Sequence, residues 1–369
     1  MINVSQPVIG KDEIQYVSEA VASGWVSSQG EFMQQFEKSF ANFCETEHCV
    51  LVANGTVALH LALEVLGINE GDEVILPDFT FVATANIVKM AGGTPVLADV
   101  KMDSWCIDPD DVKRKITSKT KAIIPVHIYG HPAEMDQLQQ IADANNIVLI
   151  EDAAEAHGAT YKGKKVGSMS TMATFSFFGN KIITTGEGGA ITTNSAELAD
   201  RARFLRDHGM SRTKRYWYTE VGYNYRMTNM QAALGLAQMN SIDSFILQRA
   251  EILETYKQLL NQVDLIKFNA KTQNAEPVNW ITCLLIEDFD STQRDLLIEK
   301  LKESGIDSRP FFYTVSSLPM YSQTPCPNSI KLSQSGINLP TYPGLTKEQI
   351  KFICEKLSQH ITDIRTLNN

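Results

Sequence analysis

IVLIEDAAEAHG, residues 147–158, sets four apolar residues in a row and then stops on two carboxylates. A short β-branched run of this kind reads as a buried strand, with Glu151 and Asp152 at its carboxyl end. The same rhythm extends in both directions: CVLVA (49–53), EVILP (73–77), TPVLADV (94–100), KAIIPVHIY (121–129) and TFSFF (174–178). Segments of helical periodicity separate these runs, at about 11–23, 31–43, 57–67, 82–92, 134–145 and 196–207. Strand runs alternating with helices predict an α/β fold, a mostly parallel sheet covered on both faces.

A longer helical stretch runs from Thr228 toward Leu265, with a break expected around Asn240–Asp243. Beyond it, NWITCLLI, the helix-like STQRDLLIEKLKES and the closing LTKEQIKFICEKLSQHITDI predict a smaller α+β unit. The expected division is a large domain over 1–245 and a small C-terminal α+β domain over 246–369. No internal repeat or low-complexity tract interrupts either.

The chain has 369 residues, 43% hydrophobic and 21% charged, with a formal net charge of -10. An acidic balance argues against a sequence-independent grip on nucleic acid, which needs a basic face. No apolar run approaches a membrane span, and the opening MINVSQPVIGKDEIQYV lacks the basic start and apolar centre of a signal peptide. Cytoplasmic localisation is the expectation. Six cysteines are scattered without CxxC spacing, so reduced thiols are expected rather than a zinc site or a disulfide framework. An anionic substrate would need local Arg and Lys, and RTKR (212–215) is one such run, although short basic runs are also ordinary solvated loops.

In an open parallel sheet, ligands bind beyond the carboxyl ends of the strands. Three clusters stand there: ANGT (53–56), EDAAEAHG (151–158) and SFFGNK (176–181). The first follows a strand and opens a helix, so Gly55 and Thr56 offer backbone N–H groups and a hydroxyl to one anion; an ordinary strand-to-helix turn is the alternative. Asp152 can cap a helix, or keep a pyridine-type nitrogen protonated if buried beside it. Lys181 is not part of a Walker loop, because Asn180 precedes it and Ile182 follows it. A lysine in a partly apolar site can instead form a Schiff base with a carbonyl. Phosphate seat, acid and amine are the three handles of pyridoxal phosphate. No HxH, HExxH or DxD pattern accompanies Asp152, and no metal is expected.

The chain resembles the DegT/DnrJ/EryC1/StrS sugar aminotransferases over nearly its whole length. The resemblance rests on SGWVSSQG (23–30), ANGTVALHLAL (53–63), FTFVATAN (79–86), HIYGHP (127–132), EDAAEAHGA (151–159), TFSFFGNKIITTGEGG (174–189), GYNYRMTN (222–229) and GINLP (336–340). It implies fold type I of the pyridoxal-phosphate transferases, like aspartate aminotransferase. Lys181 would bond the cofactor and move protons, and Asp152 would pair with the ring nitrogen. Phe81 would stack on the ring, Gly55, Thr56 and Ser176 would bind the phosphate, and Glu155 would lie near the ring hydroxyl. Asn224 would reach the phosphate from a neighbouring subunit, so that a homodimer shares its active sites. Trp25 and Ser27 would line the sugar pocket. Arg212, Lys214, Arg215, Arg226 and Arg309 are the candidates for the diphosphate of a nucleotide-linked keto sugar.

SRPFFY (308–313) and LPMY (318–321) are most similar to the branch that makes GDP-perosamine, an O-antigen sugar of lipopolysaccharide, from GDP-4-keto-6-deoxy-D-mannose. L-Glutamate would be the amino donor and pyridoxamine phosphate the intermediate form of the cofactor. Two departures stand out: Thr314 and Ser316 replace a proline and a histidine of that branch, and Asn279 precedes Trp280 where a His-Ser-Tyr-Trp-like run is expected. Other UDP- or dTDP-linked keto sugars therefore stay open. So does a dehydratase of the same family, although such enzymes carry histidine where Lys181 stands.

Overall fold

The computed structural model describes residues 1–321, 324 and 326–367; Asn368 and Asn369, the end of the expected small domain, lie outside the described residues. Its centre is a seven-stranded sheet in the order His48–Val52, Gly189–Thr193, Met172–Ser176, Val148–Asp152, Thr120–Ile123, Glu73–Pro77, Thr94–Ala98. Neighbours from Met172–Ser176 outward to Thr94–Ala98 pair in parallel. Gly189–Thr193 runs antiparallel to both of its neighbours.

Alternation explains why these strands read as continuous apolar runs. Val50, Val52, Val74, Leu76 and Ile150 pack into one apolar cluster, whereas Leu51, Ile75 and Leu149 pack into another on the opposite face. Side chains alternate along a strand, so a sheet covered on both faces needs an apolar residue at every position. The helix Gly55–Val65 is similarly enclosed, with every residue from Ala58 to Leu63 buried.

The expected helices form as Lys11–Ala22, Glu31–Phe43, Gly55–Val65, Ala83–Met90, Met135–Asn145 and Ala196–Arg206. The long helical stretch breaks where expected, into Asn229–Met239 and Ile242–Leu260. Thr228 starts the first of these with a capping box, its hydroxyl and backbone N–H exchanging bonds with Gln231. Several elements were not legible, and two of them show why. The strand Gly189–Thr193 is hidden behind the glycines of GEGG, and the short helix Pro109–Lys115 is almost entirely charged.

A second sheet has the order Ile266–Phe268, Thr282–Ile286, Gly336–Leu339, Arg309–Pro310. Leu284 and Ile286 face a third apolar cluster with Tyr256, Leu297, Ile353 and Leu357, while Cys283 and Leu285 face the main core. The helix Ile242–Leu260 bridges these regions: Ile242 and Phe245 belong to the main core, and Ile252, Tyr256 and Leu260 to the third cluster. All six cysteines are buried free thiols. Among the described residues no helix is long and apolar enough to cross a membrane.

Candidate active site

The carboxyl edge of the central sheet gathers the three clusters. Gly189 pairs with Val52 on one side and with Ser176 on the other, which brings the Asn54–Thr56 turn against the end of Met172–Ser176. The approach is close. A Cβ on Gly55 would lie 2.7 Å from Ser176 Cβ, and one on Gly189 would lie 2.6 Å from the backbone of Asn54. Asn54 caps the helix by accepting the Val57 N–H at 2.9 Å. The helix's first two N–H groups, on Gly55 and Thr56, have no partner within it and open beside the Ser176 hydroxyl. Gly188 and Gly189 thus serve this backbone approach: a Cβ on Gly188 would meet Thr185 Oγ1 at 2.0 Å.

Glu151 and Asp152 point to opposite faces of their strand and have opposite environments. Glu151 is fully buried. Its Oε1 accepts from Met169 N at 3.0 Å and Ser170 Oγ at 2.9 Å, and its Oε2 from Gly167 N at 2.9 Å. The ring of His127 completes the set, with Nε2 at 3.0 Å from Oε2. Because His127 Nδ1 accepts the Ala133 N–H at 3.0 Å, Nε2 must carry the proton and donate. Burial pushes the Glu151 carboxyl up, but these donors outweigh it and hold it below the usual range.

Asp152 faces the cleft. Its Oδ2 accepts from Thr84 Oγ1 at 2.8 Å and its Oδ1 from Ala154 N at 3.2 Å. Burial raises its carboxyl above the ordinary value despite these bonds and the nearby charge of Lys181. Glu155 is raised for the same reason, against the pull of Lys181 and of the Tyr129 N–H, which donates to its Oε2 at 2.7 Å. Lys181 Nζ lies 3.4 Å from Glu155 Oε1 and 4.0 Å from the centroid of the Trp280 ring. Lys181, Asp152 and Glu155 therefore share one partly buried space in which two carboxyls face one amine.

Such an arrangement fits pyridoxal phosphate. A carboxylate that burial disfavours gains from a protonated ring nitrogen. A helix start pressed against a serine hydroxyl suits a phosphate. Phe81 offers an open aromatic face, being 54% exposed and packed on one side against Phe312 at 5.6 Å. Simple core packing does not account for it.

A match to the model of the DegT/DnrJ/EryC1/StrS aminotransferase family extends over residues 7–358. The chain belongs to that family. Among its relatives, GDP-perosamine synthase of Escherichia coli O157:H7 is 43% identical over 98% of this chain and 99% of its own. GDP-perosamine synthase of Caulobacter vibrioides is 44% identical over 97% of this chain and 98% of its own. Among solved structures, Spr1654 of Streptococcus pneumoniae in its PMP form superposes with a TM-score of 0.94 at 29% identity, covering 99% of this chain and 98% of its own. The α/β fold expected from the sequence is that of the family.

Other expected site residues are placed less centrally. Trp25 and Ser27 are exposed, in a segment pinned to the start of the Asn229–Met239 helix. There Asn229 Nδ2 donates to Trp25 O at 2.7 Å, and Asn229 N to Ser27 O at 2.5 Å. Asn224 is exposed, and its Oδ1 accepts from Arg226 Nη2 at 3.0 Å. Arg226 also pairs with Asp207 at 2.6 Å, and Arg212 with Asp200 at 3.2 Å. Arg309 is half-exposed, 3.9 Å from Asp307. Of the three phenylalanines in TFSFF, Phe175 and Phe177 are fully buried, but Phe178 is 47% exposed. Alternation sends it to the other side.

Both departures from the branch pattern have structural roles. Ser316 donates its N–H and its hydroxyl to the buried Asp78, each at 2.7 Å. Asn279 turns away from the cleft, donating to Arg249 O at 2.8 Å and to Thr282 Oγ1 at 3.2 Å. The residues that sequence reasoning missed are Thr84, Tyr129 and Trp280. Thr84 and Tyr129 lie inside family motifs without a chemical signature of their own. Trp280 is 100 residues from the backbone carbonyl it binds, that of Asn180.

Proposed function

We propose that the chain is a pyridoxal-phosphate aminotransferase that moves an amino group from L-glutamate to the 4-keto carbon of GDP-4-keto-6-deoxy-D-mannose, giving GDP-perosamine. The observation that carries this reading is the shared space of Lys181, Asp152 and Glu155 at the carboxyl edge of the sheet. Identities of 42–44% to GDP-perosamine synthases over nearly the whole chain support the choice of substrate. When bound, the cofactor supplies an aldehyde for amine exchange and a ring that accepts electrons.

The protein's own groups divide the work. Asp152 keeps the ring nitrogen protonated, and Thr84 fixes the carboxylate's orientation. Gly55, Thr56 and Ser176 hold the phosphate, and Phe81 covers one ring face. Glu155 orients the ring hydroxyl. Lys181 would hold the cofactor through its amine and, when free of it, would move protons at Nζ to and from the substrate carbon. Asn224 completes the phosphate site of a second copy in a homodimer; its exposure leaves it accessible to one. Trp25, Ser27, Arg212, Arg226 and Arg309 are the groups we assign to the nucleotide sugar, with the arginines exchanging their present carboxylate partners for its diphosphate.

The test is direct. Purified protein mixed with pyridoxal phosphate gains a visible absorption band that L-glutamate discharges, and Lys181→Ala abolishes the band and turnover. A panel of GDP-, UDP- and dTDP-linked 4-keto-6-deoxy sugars then gives amino sugar from the GDP substrate. Product formed only from UDP or dTDP sugars overturns the substrate assignment, and a colourless protein overturns the whole reading.

A further inference from the structure

The amine of Lys181 lies against an aromatic surface as well as a carboxylate. Nζ is 4.0 Å from the centroid of the Trp280 ring, well inside the range over which an indole face attracts a cation. Both partners are shielded from water: Trp280 is 6% exposed, and the Lys181 side chain 11%. Desolvation strengthens such contacts.

The indole is held in this place by bonds of its own. Its Nε1–H donates to the backbone carbonyl of Asn180 at 2.7 Å, one residue before the lysine. Tyr129 is stacked on the ring, with centroids 6.1 Å apart and planes 19° from parallel. Tyr129 also donates its backbone N–H to Glu155, the carboxylate that pairs with the amine. It does so from a left-handed backbone, φ 52°, that non-glycine residues rarely adopt. One residue thus sets both partners of Nζ. Trp280 itself comes from the segment leading into Thr282–Ile286, so the second sheet, too, has a hold on the lysine.

We propose that Trp280 is a positioning residue that holds the Lys181 amine against its indole face in the interval when that amine carries a proton and is not bonded to the cofactor. This inference rests on the role of Lys181 proposed above. During turnover the lysine is released and must stay within reach of the substrate carbon. A flexible four-carbon side chain loses rotamer entropy when fixed. An indole face offsets that loss without consuming a hydrogen-bond donor, so beside the N–H directed at Glu155 the other two N–H bonds of the ammonium stay available for proton transfer.

The experiment uses the cofactor-free protein, so its result does not depend on which substrate is correct. Formaldehyde with cyanoborohydride methylates only the unprotonated amine, and mass spectrometry reads the rate at Lys181. Lys162, near a tyrosine rather than a tryptophan, is the internal reference. Trp280→Leu removes the π face and raises the Lys181 rate about tenfold, equivalent to ~1.4 kcal/mol, whereas Trp280→Phe stays within about threefold of the parent. To guard against misfolding of Trp280→Leu, the parent protein is also produced with mono-, di- and trifluorinated tryptophan, which weakens the ring quadrupole and preserves shape. The logarithm of the Lys181 rate then rises with each fluorine. Lys214, which lies 4.0 Å over the Trp217 ring, follows the same trend as a positive control. A Lys181 rate that stays flat across the fluorinated series while that of Lys214 rises, or a folded Trp280→Leu labelled at the parent rate, overturns the proposal.

Discussion

The adjacent carboxylates Glu151 and Asp152 offer a sharp separation of stability from chemistry. Glu151→Gln keeps the size and removes the charge. Each oxygen of Glu151 accepts at least one backbone N–H, from Met169 on one side and Gly167 on the other. Whichever way the amide turns, its NH2 confronts a donor that cannot become an acceptor. Breaking a fully buried, charge-assisted set of this kind costs about 3–5 kcal/mol. With a urea dependence of roughly 3 kcal/mol per molar, the denaturation midpoint falls by about 1 M or a little more. Asp152→Asn behaves differently. The amide oxygen can still accept from Ala154, and the NH2 can donate to the Thr84 hydroxyl, which serves equally as an acceptor. Because burial raises the Asp152 carboxyl in the folded protein, ionisation costs stability as pH climbs above the unfolded carboxyl value, and a neutral amide escapes that cost. The cofactor-free Asp152→Asn protein therefore unfolds at or above the parent midpoint at pH 7, while turnover drops roughly 100- to 1000-fold, the range for one preorganised electrostatic partner. Urea titrations of both cofactor-free variants, beside a glutamate-dependent turnover assay, decide the matter. Equal loss of stability in the two variants, or a Glu151→Gln midpoint unchanged from the parent, refutes the reasoning.

Three further outcomes follow from the same geometry. Gly189→Ala forces a methyl to within 2.6 Å of the Asn54 backbone, so stability falls by about 1–3 kcal/mol and pyridoxal phosphate binds more weakly in a fluorescence titration. Ser316→Ala takes one donor from the buried Asp78 and costs about 1–3 kcal/mol by urea denaturation, with no change in the absorption of bound cofactor. Burial, reinforced by the Lys181 charge, pushes His157 down to about 3. The unfolded chain therefore takes up a proton near pH 6.5 that the folded protein refuses, so this site erodes stability as pH falls from 6.5 toward 3; His157→Leu flattens that acid limb of a stability–pH curve.

Residues 147–158 and the runs like them were enough to read the parallel sheet, because a strand buried on both faces must be apolar throughout and so announces itself. Lys181, Asp152, and the Gly55–Thr56 turn were legible for a similar reason: each stands just after a strand, where chain direction alone fixes the edge on which it emerges. What the sequence left open depends on distance along the chain. Nothing local marks Trp280 as the surface under Lys181, or Ser316 as the partner of Asp78, 238 residues before it. Nor does residue type alone separate Glu151 from Asp152, since both are acids at the end of one strand. The resemblance singled out Asp152, but only the packed structure, by surrounding one carboxylate with four donors and turning the other into a cleft with too few, gave the physical reason one holds the fold and the other faces the cleft.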